Sequence, residues 1–120
     1  MEPDQFAERI AAVRKRFAAK LVTRISDTEA VLPTLSGDTP DTVDAVATTH
    51  RCIHELCGIG PTVGFDAIGR AARTMERILL QAARGKRGLT ADEISGLRTG
   101  LDELRNAARA DSAVHGFAWE

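Results

Sequence analysis

The chain has no tyrosine, one tryptophan and four phenylalanines in 120 residues. Its core must therefore be aliphatic, and a 43% hydrophobic share is enough for one compact domain. No apolar run approaches the ~20 residues of a membrane span, and the opening MEPDQFAERI lacks the basic-then-apolar order of an export signal. The expectation is a cytoplasmic protein. Neither charge is in excess: sixteen Lys and Arg against seventeen Asp and Glu leave a formal net charge of -1. No global field draws such a chain to nucleic acid or to an anionic membrane, so charged docking must be local. Two cysteines make no disulfide framework. On one helix Cys52 and Cys57 would lie roughly 140° apart and ~7.5 Å apart along the axis, so both are expected as free thiols in a reducing compartment.

What is present is a period of 3.6 between every pair of turn signals, with no sustained alternation of period two. From Asp4 to about Leu35, Phe6, Ile10, Val13, Phe17, Leu21, Ile25, Leu32 and Leu35 step by threes and fours, predicting one long helix or two nearly collinear ones. Pro33 and the Ser36-Gly37-Asp38 run end it. Thr39 then caps a second helix whose first position is Pro40, where a missing amide costs nothing, and which runs to about Gly60. Pro61 and Gly64 form a joint before a third helix, Phe65 to Arg84, with Phe65, Ile68, Ala72, Met75, Leu79 and Ala82 on one face. Thr90 and Glu93 read as a capping box opening a fourth helix, with Ile94, Leu97, Leu101, Leu104 and Ala108 inward. The predicted architecture is all-α: an antiparallel, up-down four-helix bundle over residues 1–110. Residues 111–120 lose periodicity and are expected as a flexible tail, either disordered or docked through Phe117 and Trp119. The basic stretch from Arg14 to Lys20 reads as a solvated amphipathic surface, and the Gly85–Gly88 turn lacks the spacing of a phosphate-binding loop.

The chemistry-bearing residues gather in HRCIHELCGIG, residues 50–60. His50, His54 and Cys57 stand at i, i+4 and i+7, compatible with a divalent metal, but no fourth ligand or second ligand pair with fixed spacing accompanies them. No metal site is therefore expected, and metal binding through these three remains the lesser reading. A Cys57 nucleophile activated by His54 lacks a nameable orienting residue or oxyanion site. Cys52 reads as a small core residue on the Leu56 side. His54 stands out because Gly58 lies one turn on, and an interior helical glycine costs about 0.5–1 kcal/mol relative to alanine. With Ala47 on its other flank, His54 is left open to a large partner. A neutral imidazole is a nucleophile near neutral pH without an activating base.

His54-Glu-Leu-Cys-Gly58, then Gly64-Phe65 and the Ala-Ala-Arg-Thr-Met-Glu run ending at Glu76, resembles the histidine-phosphotransfer (HPt) domain family of multistep two-component phosphorelays. That family's motif is H-x-L-K-G, a glycine about six residues on, and a helix closing in a Leu-Glu-like pair. The resemblance covers the second and third helices in motif and the whole chain in helical plan. It implies a phosphoryl carrier in which His54 accepts a phosphoryl group from a receiver-domain aspartate and passes it to another receiver. Leu56 would then be the core leucine, Gly58 the point of partner access and Gly64 the turn. Implied partners are response-regulator receiver domains and a hybrid histidine kinase, with no nucleic acid and no membrane, and with the carrier monomeric. It would need no cofactor of its own, the magnesium belonging to the partner receiver. The family's lysine is Cys57 here. Arg51, and less directly Arg70, are the candidate replacement cations, with His50 beside them in the phosphate environment. That departure keeps a second reading open, a docking module that binds a receiver or kinase without transfer.

Overall fold

The computed structural model describes residues 3–62 and 64–110, and the expected tail, with Phe117 and Trp119, lies outside them. Four α-helices and one short 3-10 turn make up the elements: α1 Pro3–Val31, the turn Leu32–Thr34, α2 Pro40–Thr62, α3 Asp66–Arg84 and α4 Ala91–Ala110. There is no strand among the described residues, and no helix among them is long and apolar enough to cross a membrane.

The long first segment is one helix. It stops at Val31, four residues short of the expected end, because a proline at 33 disfavours the helical conformation at the residue before it. Its apolar stripe is used unevenly: Phe17, Leu21 and Ile25 are buried, while Phe6 and Ile10 are exposed at 59% and 38%. The first turns of α1 project past the other helices, and the molecule measures 54 × 28 × 20 Å.

At the start of α2 the Thr39 hydroxyl accepts the amide of Thr42 at 3.2 Å, the capping expected of a Thr-Pro start. The far end of α2 runs through Pro61 to Thr62, two residues beyond the expected stop. Proline is tolerated there because the turn is closed by other donors. Phe65 N donates to Gly60 O at 2.8 Å and Gly64 N to Pro61 O at 3.2 Å, with Gly64 at φ +90°. This is the Schellman pattern, which needs a residue free of Cβ strain at the left-handed position. Thr90 and Glu93 form the expected box at the start of α4, with Glu93 N to Thr90 Oγ1 at 3.1 Å and Thr90 N to Glu93 Oε1 at 2.9 Å.

Packing centres on α3, which lies against both α2 and α4, while α1 touches α2 and α4. The predicted inner faces are buried: Val46, Ile53 and Leu56 from α2, Phe65 at the cap of α3 with Ile68, Met75 and Leu79 within it, and Leu97, Leu101 and Leu104 from α4. Phe17 of α1 stacks on Phe65 with ring centroids 5.1 Å apart, and Arg14 covers the Phe65 ring at 4.9 Å. Arg14 thus belongs to the packing around the start of α3, leaving Lys15, Arg16 and Lys20 as the solvated part of the basic stretch.

Candidate functional site

Two adjacent turns of α2 and one position of α3 build the site. His50 and His54, one turn apart, stack with centroids 5.9 Å apart and planes inclined by 27°. His50 is partly buried, whereas the His54 side chain is 67% exposed. Across the helix interface, Glu76 sits half-buried on α3, next to the core residue Met75, and its Oε1 is 3.2 Å from His54 Nδ1. An ionised carboxylate can only accept, so this pairing puts the ring proton on Nδ1 and leaves the lone pair on Nε2.

The Glu76 carboxyl is held below its usual range, first by a hydrogen bond from the Cys57 thiol and then by the one from His54. The thiol is affected the other way: burial and the bonded carboxylate push it up to about 12. Cys57 is therefore a neutral donor at physiological pH. The sequence placed Cys57 with Gly58 and Arg51 in the partner-access and phosphate environment, and offered no orienting residue that would make it a nucleophile. Cys57 is a buried residue in contact with α3, not a member of the exposed phosphate environment, and a thiol so poised is neither a nucleophile nor a ready metal ligand. Cys52, expected in the core, is only partly buried, and its backbone carbonyl accepts from Arg24 at 3.4 Å. Both cysteines are free.

The remaining candidates fall into two groups. Gly58 is exposed, and a Cβ built there would meet nothing within 4 Å; Ala47 is partly buried one turn before His50–Arg51 on the same helix. Gly64 is the turn already described. The cations are less favourably disposed: the Arg51 guanidinium donates to Thr48 Oγ1 at 3.3 Å, toward the start of α2 and away from the next turn. Arg70 is exposed on α3, six residues before Glu76.

Glu76 is the side chain of this cluster that periodicity does not single out. It entered only as the last letter of a motif, because its partner is 22 positions away and on another helix. A polar residue directly after a buried Met75, on a helix already known to pack against α2, is the signal that could have marked it. With it, His50, His54 and Glu76 each offer a ligand atom, all within 4.8 Å of one another. The sequence offered Cys57 as the third of these positions; in the structure a carboxylate from α3 stands there instead. Chemically, the site offers a nucleophilic nitrogen on an accessible ring, an orienting carboxylate behind it, and open helix surface beside it. The chain matches no protein-family model, no curated protein and no solved structure.

Proposed function

We propose that this chain is a histidine phosphotransfer protein, a carrier in a two-component phosphorelay that takes a phosphoryl group onto His54 from a receiver-domain aspartate and gives it to another receiver. The observation that carries this reading is the exposed His54 ring held at Nδ1 by Glu76, with a glycine one turn on whose missing side chain serves no packing need of the chain itself. In the loading step the Nε2 lone pair attacks phosphorus as the bond to the aspartyl oxygen breaks, and the donor carboxylate is regenerated. The ring becomes a phosphorylated imidazolium, and its Nδ1 proton stays against Glu76, which steadies that charge. The partner receiver brings the magnesium, and the carrier returns to its starting state without net turnover. The proposal includes an up-down antiparallel order of the four helices, a cytoplasmic setting and a monomeric carrier. Exposed Ile59 beside Gly58 gives a docking receiver an apolar contact, 40% accessible in the free chain.

A second reading, docking without transfer, is favoured by one observation: the residue in the place of the family's lysine, Cys57, is neutral, and Arg51 is bonded to Thr48. One experiment separates the two. The protein is incubated with a phosphorylated receiver and acid-labile label on it is followed. Transfer to the wild type and none to His54→Gln is expected; label that persists in His54→Gln, or that is lost only in His50→Gln, overturns the carrier. Complex formation with no label on any histidine establishes the docking module.

A further inference from the structure

We infer that His50, His54 and Glu76 together bind one divalent transition-metal ion, with zinc the best match. The inference does not depend on phosphoryl transfer, because it rests on the placement of ligands alone. Two imidazoles at i and i+4 on one helix are a spacing through which a helix presents two nitrogens to a single ion. The carboxylate comes from α3, so the ion would be gripped from two helices.

The distances suit zinc. Two ligands about 2.0–2.1 Å from an ion and a tetrahedral angle apart are separated by roughly 3.3 Å. His54 Nδ1 and Glu76 Oε1 are at 3.2 Å. All three ligand atoms lie within 4.8 Å of one another, so only the His50 contact must close further, by side-chain rotation. An ion between Nδ1 and Oε1 takes the place of the proton they share, and the ring, staying neutral, carries its proton on Nε2 instead.

Two observations favour a ligand beyond mere proximity. His50 Nε2 is buried and has no hydrogen-bond partner, an imidazole nitrogen left unsatisfied by the protein. One turn after His54 on α2, Cys57 is buried and uncharged, so that position brings no cation that would repel the metal. Two histidines and one carboxylate leave a fourth position for water, the pattern of an open site rather than a closed structural one. With the metal on Nδ1 the ring proton occupies Nε2, so zinc would also block Nε2 as a nucleophile.

The test is titration of chelator-treated, reduced full-length protein with Zn2+ against a chromophoric competitor, with Co2+ as a spectroscopic probe. One equivalent is expected to bind, with affinity falling about tenfold or more in His50→Gln and in Glu76→Gln. Circular dichroism of both variants shows whether the helices are intact, and the exposed or half-buried positions make that the expected result. The Co2+ form should show visible bands and no thiolate charge-transfer band. The inference is overturned if no stoichiometric binding occurs. It is equally overturned if folded His50→Gln and Glu76→Gln bind as tightly as the wild type, or if a thiolate band places the ion on a cysteine.

Discussion

The two joints that flank α3 solve one problem with different materials. Between α2 and α3 the chain turns on backbone bonds and missing side chains: Gly64 takes the left-handed position, and Gly60 and Gly69 bring the end of α2 against the start of α3. Between α3 and α4 the backbone closes in the same pattern, Arg87 N donating to Ala82 O at 3.2 Å and Lys86 N to Ala83 O at 3.1 Å, but side chains are added to it, the Thr90–Glu93 box and the Arg87–Glu93 pair at 2.7 Å. The first joint is chiefly steric, with Arg14 laid over its Phe65 ring. The second adds an exposed ion pair to its backbone bonds. The difference teaches why the joint nearer His54 can set a helix-to-helix distance: its geometry depends on contacts that cannot be screened or titrated.

That contrast can be attacked at three points. The largest effect is expected at Gly69, where a Cβ would stand 2.7 Å from the Pro61 ring, a group with no rotamer to yield. Gly69→Val should lower stability in denaturant unfolding by about 1–3 kcal/mol, the usual cost of overpacking. A smaller effect of opposite sign is expected at Gly58, only two residues from Gly60 and facing open space. Gly58→Ala should raise stability by about 0.5–1 kcal/mol through helix propensity, and the bulkier Gly58→Gln should keep the fold while weakening receiver docking. Undiminished docking in Gly58→Gln would mean the glycine is not there for a partner. The smallest effect belongs to the α3–α4 joint and appears only in acid. The Arg87 guanidinium, helped by the Thr90 amide, lowers the Glu93 carboxyl to about 2 from its usual 4.5. A group depressed on folding contributes stability that is complete above about pH 4.5 and is lost as pH falls toward 2. Thermal unfolding across that window should show a shallow decline that Glu93→Gln flattens, and salt should reduce it because the pair is solvent-exposed.

Much of this was legible before any coordinates, for reasons that differ by residue. The box at Thr90 and Glu93 and the Thr39-Pro40 start are local devices, complete within four residues, so sequence alone specifies them. The inner faces of α3 and α4 follow from periodicity. Phe6 and Ile10 continue the same periodicity yet are exposed, because a stripe states which face is apolar and not whether another helix reaches that far. Cys57 was misplaced for a related reason: it sits at the edge of the α2 stripe, where whether a thiol is covered depends on the neighbouring helix, here through Glu76. The His54–Glu76 pair was beyond reach altogether, being a distance between helices. His54 and Gly58, in contrast, are singled out by one helix turn of sequence.

The overhang of α1 has a consequence for how the protein moves through solution. A compact chain of this length has a radius of gyration of about 13–14 Å, whereas this one has 15.4 Å. Drag follows shape as well as mass, so a single copy should leave a sizing column ahead of a sphere of equal weight. Its elution volume alone would overstate how many chains travel together, and light scattering is the measurement that counts them.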